Sequence, residues 1–246
     1  MIDIHCHILP GIDDGAKNIK DSLEMLKNAE KARISDVILT PHYVKGSIYN
    51  ANNAKKWQIF KELKDAASKA GIKVNLYLGN EIYIDSHLPE LLAGYVGEKS
   101  KEMYEVATLN STKYVLVEFP VKIEDKSAKT TLFSLVQKGL VPVIAHPERY
   151  SYVQDDPNYV DDLIGMGCVL QGDYLSIVGR YGKRAERTLA QLLLEDKIFC
   201  LASDVHKPTD DYQMSLSAKK LLRVVKTPQK VRELVKDNPL KILKGE

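Results

Sequence analysis

Short runs of apolar and β-branched residues recur along the chain and predict buried β-strands. These runs are almost continuously apolar, which is typical of strands covered on both faces, as in a parallel sheet. The predicted strands cover residues 2–7, 36–42, 74–81, 114–119, 141–146, 168–173 and 199–206.

Helical patterns lie between these strands. Apolar residues recur at three- and four-residue spacing in residues 57–70, and Gly71 follows as a helix stop. Asp156-Pro157 and Thr227-Pro228 each resemble an N-cap followed by a proline in the first turn, and residues 185–194 carry another apolar stripe. This alternation favours a parallel βα barrel, with an open doubly wound sheet as the alternative.

Composition narrows the class of protein without changing this architecture. The chain has 246 residues, of which 44% are hydrophobic and 28% are charged, as expected for a globular protein. No linker or low-complexity tract divides it, so we expect a single domain over residues 1–246. The net charge of +2 gives no electrostatic reason to expect a nucleic-acid partner or a membrane surface.

Targeting signals and cysteines bear on the compartment. The sequence has no stretch of 18 apolar residues, and its first residues lack the basic and apolar regions of a signal peptide. Cys6, Cys168 and Cys200 are an odd number of cysteines at spacings that suit no disulfide framework. We therefore expect a cytoplasmic protein without stable membrane insertion.

Histidines and acidic residues are concentrated at the carboxyl ends of the predicted strands, where βα barrels carry their chemistry. These residues are His5, His7, His42, Glu81, Glu118, His146, Asp204 and His206. Hydrogen-bonded core histidines are the simpler explanation for any one of them. A metal centre explains the whole set better, because burying so many titratable groups without a cation is costly. His87, in a predicted loop, is instead interpreted as a surface residue.

The spacing within the first and last strands supports a metal centre. In His5-Cys6-His7 the two imidazoles point the same way, about 6.6 Å apart along an extended strand, whereas Cys6 points elsewhere. The segment Asp204-Val205-His206 repeats this arrangement. Imidazole and carboxylate ligands together suit manganese, iron or zinc better than calcium or magnesium.

Two further segments could add residues to such a site. Residues 10–15 have the composition of a turn, but Asp13 or Asp14 could reach a metal held by the histidine pair. Arg149 follows His146 by three residues and could bind a phosphate through two hydrogen bonds. A solvated surface arginine is the alternative interpretation.

Six motifs follow one another along the chain, together with the stretch 181–206. They are DIHCH at residues 3–7, TPH at 40–42, GNEIY at 79–83, VLVEF at 115–119, AHPERY at 145–150 and ASDVH at 202–206. Together they resemble the polymerase-and-histidinol-phosphatase (PHP) superfamily, and within it the manganese-dependent protein-tyrosine phosphatases of Gram-positive capsule and exopolysaccharide loci (CpsB/CapC type). The resemblance extends over essentially the whole chain and implies a distorted seven-stranded βα barrel of the PHP type.

The resemblance also implies three divalent metal ions, with manganese preferred and iron or zinc as alternatives. It implies His5, His7, Glu81 and Asp204 as ligands of the first ion, Glu81 (bridging), Glu118 and His146 of the second, and Asp14, His42 and His206 of the third. Asp13 is the alternative to Asp14. Arg149 matches a phosphate-binding arginine of the family.

Two positions depart from the family pattern. The residues after His206 lack a second arginine that family members carry, and Lys207 is the candidate to replace it in phosphate binding. Asp173 stands where an asparagine is usual. Both departures bear on phosphate binding, whereas the set of implied metal ligands is complete.

The expected reaction is hydrolysis of a phosphotyrosine by a hydroxide held between two metal ions, with Arg149 and the third ion neutralising the phosphoryl oxygens. His42 and His206 are candidates to protonate the leaving group, although a phenolate needs little such help. The resemblance implies that the substrate is the tyrosine-rich tail of a cytoplasmic tyrosine kinase that controls polysaccharide export. The sequence is compatible with a homo-oligomer.

Several other activities remain as alternatives. A PHP-type phosphatase for a small molecule such as histidinol phosphate, another metal-dependent phosphoesterase or an amidohydrolase would share the metal ligands, whereas the near-neutral charge disfavours a nuclease. A binding module without activity would lack ligands, and none is missing. A cysteine-based phosphatase is excluded, because it needs an arginine six residues after the cysteine, where Ile12, Tyr174 and His206 stand instead.

Overall fold

The computed structural model describes residues 1–92, 105–122, 124, 127–210, 212 and 214–246. The strands are β1 (Ile2–Cys6), β2 (Asp36–Leu39), β3 (His42–Tyr43), β4 (Asn75–Leu78), β5 (Glu81–Tyr83), β6 (Tyr114–Glu118), β7 (Val141–Ala145), β8 (Val169–Asp173) and β9 (Cys200–Ala202). The α-helices are α1 (Ile19–Lys31), α2 (Asn53–Lys69), α3 (Leu88–Leu91), α4 (Ala128–Gln137), α5 (Ser151–Asp155), α6 (Tyr159–Gly165), α7 (Gly182–Leu194), α8 (Met214–Val225), α9 (Pro228–Arg232) and α10 (Asn238–Lys244). Among these described segments, none combines the length and the apolar content that a membrane-crossing helix requires.

All strand pairs in the described residues are parallel, which confirms the predicted α/β class. One sheet has the order β1-β2-β4, and a second has the order β3-β5-β6-β7-β8-β9. Beyond these sheets, the His7 N–H donates to the Val205 carbonyl and the Asp204 N–H donates to the His5 carbonyl, each at 2.9 Å. The segment after β9 is therefore hydrogen-bonded to β1, the first strand. A barrel requires such a connection, whereas an open sheet does not.

The continuity predicted for residues 36–42 and 74–81 is wrong, because each run is broken into two strands. Pro41 interrupts the first run, since it has no N–H to donate to a strand ladder. Its carbonyl instead accepts hydrogen bonds from the Glu81 N–H at 3.2 Å and from the Asn80 side chain at 2.7 Å. The two breaks therefore lie side by side, directly before the short strands that begin with His42 and Glu81.

The strands distribute their side chains between two apolar clusters. Ile38 and Leu116 belong to a cluster on one face of the strands. Val37 and Val117 belong to a larger cluster on the other face, which also contains helix residues such as Leu26 of α1. Burial on both faces is the environment that the continuous apolar runs predict.

Helix boundaries agree with the sequence signals except at one helix. Gly71 follows α2 with a φ of +71°, as the stop signal predicts. The Thr227 hydroxyl caps α9 by accepting a backbone hydrogen bond from the first turn. The helix start predicted at Asp156-Pro157 is wrong, because α6 begins at Tyr159 and the Asp156 carboxylate accepts a backbone hydrogen bond in the preceding turn.

Asp3 connects β1 to the segment after β9 through side-chain hydrogen bonds. Its buried carboxylate accepts hydrogen bonds from the Ser203 hydroxyl at 2.5 Å and from the Ser203 N–H at 3.0 Å. Burial raises the pKa of Asp3 to about 6, although the hydrogen bonds from Ser203 oppose this shift.

We expect Asp3→Ala to lower the free energy of unfolding by about 2 kcal/mol. It leaves the buried Ser203 N–H without its acceptor and leaves the Ser203 hydroxyl with only the more distant His5 carbonyl, at 3.3 Å. Urea denaturation measures the change. Asp65→Ala, at an exposed position of α2, is the control and should remain within about 0.5 kcal/mol of the parent. Equal stability of the two variants would contradict this account of the closure.

Candidate metal centre

His5, in β1, and His7, just after it, are buried and face the same place, as their spacing predicts. Their Nε2 atoms lie 3.3 Å apart. Glu81 Oε2 lies 3.2 Å from the His5 Nε2 and 3.3 Å from the His7 Nε2. Asp204 Oδ1 lies 3.2 and 3.1 Å from the same two nitrogens. One ligand atom from each of these four side chains falls within 4.8 Å of the others, and the set is the one implied for the first metal ion.

Glu81 is shared with a second group. It lies with His42 and Glu118 so that their ligand atoms are within 4.8 Å of one another. The His146 Nε2 is 3.1 Å from Glu81 Oε1 and 3.9 Å from Glu118 Oε1. The structure therefore brings His146 to its predicted neighbours. It also places His42 Nδ1 3.0 Å from Glu81 Oε2. His42 therefore adjoins this group as well as the group implied for the third ion.

Asp14 rather than Asp13 belongs to the third group. Asp14 Oδ1 lies 3.6 Å from the Nε2 atoms of both His42 and His206, and His7 completes the group. Asp13 has different contacts, since its Oδ2 is 2.7 Å from His7 Nδ1 and accepts a hydrogen bond from the His42 N–H at 2.9 Å. Asp13 therefore positions two histidines, while Asp14 adds a candidate ligand.

Hydrogen bonds to the outer nitrogens orient the histidine rings. Gln171 Oε1 lies 2.7 Å from His5 Nδ1, and the His206 Nδ1–H donates to the Asp204 carbonyl at 2.9 Å. A bond at Nδ1 leaves Nε2 facing the cluster, which is how metal-binding imidazoles are commonly held. The role of Gln171 was not predicted, because its only signal in the sequence is a place in a predicted strand.

Charges in the cluster shift the pKa values of its members in opposite directions. Burial opposes protonation of His5, but the Glu81 and Asp204 carboxylates raise the pKa of this imidazole well above its usual value. Burial similarly opposes protonation of His7, whose pKa is raised by the Asp13 carboxylate. Burial would also raise the pKa values of Glu81 and Asp204, but the charge on His5 lowers both. The cluster without metal therefore holds protons that a cation would replace.

The donor set fits a divalent transition metal. Within the described residues, the buried atoms Glu81 Oε2 and Asp204 Oδ1 have no hydrogen-bond donor in good geometry, although both face the His5 and His7 nitrogens. Buried carboxylate oxygens without a donor are costly, and a cation between them and the imidazoles would remove that cost. Mixed imidazole and carboxylate ligands favour manganese, iron or zinc.

Two of the candidate ligands have unusual backbone conformations. His146 has a φ of +32° and Asp204 has a φ of +51°, both in the left-handed region. Non-glycine residues rarely adopt this conformation, and it is concentrated at functional sites, where the surrounding structure holds it in place. In both residues the turn comes where the chain leaves a strand region for a loop.

Arg149 lies against the cluster. It belongs to the 3₁₀ helix Pro147–Arg149 that follows β7, and its guanidinium forms an ion pair with the Asp204 carboxylate. The same group stacks on the Tyr181 ring, 4.4 Å from its centroid, a contact that the sequence analysis missed. The Arg149 side chain is 22% exposed, so it is not the solvated surface arginine of the alternative interpretation.

Lys207 is beside the cluster, but its side chain is exposed. Its N–H donates to Asp210 Oδ2 at 2.9 Å, and Asp210 Oδ1 accepts a hydrogen bond from Arg180 at 2.6 Å. A guanidinium therefore lies next to the segment after His206, where the sequence analysis considered Lys207 alone. Arg180 was missed because it precedes α7 and no motif connects it with this segment.

The cysteines have the properties of structural residues. All three are free and buried. Burial raises the pKa values of Cys6 and Cys200 far above the usual thiol range and that of Cys168 to about 12, so the nucleophilic thiolate is disfavoured. The expectation for His87 is confirmed, since its side chain is 56% exposed and contacts Asp85.

Comparison with known proteins identifies the family. Residues 1–244 match the family described as "Capsular polysaccharide synthesis, CpsB/CapC". Tyrosine-protein phosphatase YwqE of Bacillus subtilis is 34% identical over 206 residues, which cover 84% of this chain and 77% of that protein. Putative tyrosine-protein phosphatase CapC of Staphylococcus aureus is 31% identical over 211 residues, covering 85% and 78%. The chain belongs to the CpsB/CapC family, which confirms the resemblance inferred from the motifs.

Solved structures agree with this assignment. One match comes from crystal structures of YwqE from Bacillus subtilis and CpsB from Streptococcus pneumoniae, described as unique metal-dependent tyrosine phosphatases. It has a TM-score of 0.89 and 30% identity, covering 100% of this chain and 95% of that chain. Histidinol phosphate phosphatase of Lactococcus lactis has a TM-score of 0.59 at 12% identity, covering 91% and 93%, and this likeness shows the fold alone.

We expect the affinity of the protein for Mn²⁺ to rise as the pH increases from about 6 to 8. The raised pKa values of His5 and His7 mean that both rings hold protons near neutral pH in the metal-free protein, and bound metal must displace them. Calorimetry in buffers of different ionisation enthalpy measures the affinity and the number of protons released. Binding that is independent of pH and releases no protons would contradict the arrangement described here.

Proposed function

We propose that this protein is a metal-dependent protein-tyrosine phosphatase that acts on a tyrosine kinase controlling capsular or exopolysaccharide synthesis. The observation that carries the proposal is the convergence of imidazoles and carboxylates on one cluster, with Arg149 packed against it. Membership of the CpsB/CapC family, together with relatives named as tyrosine-protein phosphatases, supports this substrate class.

The proposal assigns three divalent ions to the cluster, with manganese preferred and iron or zinc as alternatives. The first would be held by His5, His7, Glu81 and Asp204, the second by Glu81, Glu118 and His146, and the third by Asp14, His42 and His206. When bound, such ions activate water as a nucleophile and stabilise negative charge on the phosphoryl group.

Residues of the chain itself bind and orient the phosphate in this proposal. Arg149 would donate two parallel hydrogen bonds to phosphoryl oxygens, and the Tyr181 ring supports the flat face of its guanidinium. Lys207 would add a positive charge from the exposed side of the cluster. His42 and His206 are partly exposed and are the candidates to protonate a leaving group, but as ligands of the third ion they have little capacity to do so. A tyrosine phenolate leaves with little such help.

The exposure of the third group suits a phosphotyrosine presented by a polypeptide. The side chain of Asp14 is 51% exposed and that of His206 is 24% exposed, whereas His5 and His7 are buried. We propose that the substrate is the tyrosine-rich tail of a cytoplasmic kinase, which reaches the cluster from this open side. The net charge of +2 gives no support to a nucleic-acid substrate.

Removal of metal tests the proposed function. Chelation should abolish hydrolysis of a phosphotyrosine peptide, and Mn²⁺ should restore it better than Mg²⁺, because the cluster is rich in imidazole. Phosphate release measures the rate, and elemental analysis measures the metal content. Full activity after demetallation would refute metal dependence. Strong preference for histidinol phosphate over the peptide would refute the substrate class.

Arg149→Ala should lower kcat/KM for the phosphotyrosine peptide by a factor on the order of 10² to 10³, by analogy with the loss of one preorganised donor. The metal content should be unchanged, because Arg149 is not a candidate ligand. Arg149→Lys should recover part of the loss, since an ammonium cannot form two parallel hydrogen bonds. Arg187→Ala, at an exposed position of α7, is the matched control and should keep the parental rate.

The double variant Arg149→Ala/Lys207→Ala tests whether the two cations share the phosphate. Coupling between them would appear as a combined loss that differs from the product of the two single losses. Parental kinetics in Arg149→Ala would refute the role proposed for this residue.

A further inference from the structure

The loop between β3 and α2 places an aromatic ring beside the candidate metal centre. The Tyr49 ring stacks on the His42 ring, with centroids 6.0 Å apart and planes inclined by 24°. Tyr49 is partly exposed, so the ring belongs to the surface around the cluster and not to the apolar core. No sequence motif described above includes Tyr49, and it is not one of the candidate ligands.

Hydrogen bonds within the loop hold this ring in place. The Val44 N–H donates to the Tyr49 carbonyl at 2.7 Å. The Ser47 hydroxyl donates to the Val44 carbonyl at 2.8 Å and accepts from the Tyr49 N–H at 3.0 Å. Gly46 has a φ of +76°, which favours a residue without a Cβ atom. The loop is therefore a compact turn that fixes Tyr49 relative to β3, the strand that carries His42.

We propose that Tyr49 selects aryl phosphates, its ring forming a wall on which the phenyl ring of phosphotyrosine packs while the phosphate meets the metal centre. His42, which the Tyr49 ring contacts, belongs to the group that includes the exposed Asp14. The wall therefore adjoins the open side of the cluster, where a substrate enters. Aromatic rings gain energy from offset stacking in addition to the area that they bury. An alkyl phosphate, such as phosphoserine, has no ring that can use this wall.

This inference rests on the proposed phosphatase function and assigns the preference for aryl esters to one residue of the site. A different role for Tyr49, as a mere support for His42, leads to a different result. Loss of a support would disturb the metal centre and weaken the binding of every phosphate alike. Loss of an aryl-binding wall weakens only ligands that carry a ring, so ligands with identical head groups separate the two roles.

Phenylphosphonate and methylphosphonate provide this comparison, because they share the phosphonate group and contain no bond that a phosphatase hydrolyses. Calorimetric titration of the manganese-loaded protein should give a dissociation constant about tenfold lower for phenylphosphonate. In Tyr49→Ala this ratio should fall to near one, while the manganese content remains parental. Tyr49→Phe should keep the parental ratio, and Tyr49→Leu should give an intermediate ratio.

Tyr77→Ala is the matched control. Tyr77 is another partly buried tyrosine, but it lies in β4, and its hydroxyl donates to Asp36 at the amino end of β2, away from the strand ends that carry the cluster. Its replacement should leave the phosphonate ratio unchanged. A fall in the ratio equal to that of Tyr49→Ala would show a general loss of structure and overturn the inference.

Two other results would also overturn it. One is a parental ratio in both Tyr49→Ala and Tyr49→Leu. The other is loss of manganese with equal weakening of both phosphonates, which is the result of a supporting role. The proposed function is tested separately, by hydrolysis of a phosphotyrosine peptide by the parent protein. Failure of that hydrolysis refutes the phosphatase, whereas hydrolysis with an unchanged ratio in the Tyr49 variants refutes only the role of Tyr49.

Discussion

The candidate metal centre depends on oppositely charged groups that are buried together. Glu81 and Asp204 lie out of contact with solvent, and a buried carboxylate is tolerated only when opposite charge or hydrogen-bond donors are close to it. His5 and His7 face both carboxylates, and the guanidinium of Arg149 pairs with the other oxygen of the Asp204 carboxylate. The closure of the strands brings these groups together, because His5 and Asp204 come from segments that are hydrogen-bonded to each other through their backbones.

The adjacent strand breaks give His42 and Glu81 their positions in this cluster. Breaks expose backbone polar groups, and here buried side chains satisfy them. The Asn80 amide donates to the Pro41 carbonyl, and the Asn80 carbonyl oxygen accepts from the ammonium of Lys56, which also donates to the Glu105 carbonyl at 3.1 Å. Burial lowers the pKa of Lys56 to about 7. An irregular and polar piece of backbone is thus held by buried side chains beside the candidate metal centre.

The strands and the candidate ligands could be predicted because each has a signal within a few neighbouring residues of the sequence. Continuous apolar runs identify strands buried on both faces, and the alternation of His5 and His7 shows that both rings point the same way. The strand breaks were not predicted, although Pro41 is visible, because its carbonyl is satisfied by a neighbouring strand distant in sequence. Gln171 and Tyr49 were missed for the same physical reason. They act through contacts with histidines that residue type and spacing do not reveal, so only the folded chain identifies them.

The closure also fixes when the cluster can exist during the life of the chain. Asp3 and Ser203, which join its two sides, are 200 residues apart. At a translation rate of about 5–20 residues per second, β1 leaves the ribosome roughly 10–40 s before its final neighbour. During that interval β1 can pair with β2, and His7 can meet Asp13, but the other edge of β1 has no native partner and both imidazoles lack Asp204. The complete cluster therefore forms only after Asp204 has been synthesised, and until then the second edge of β1 is open to pairing with other strands.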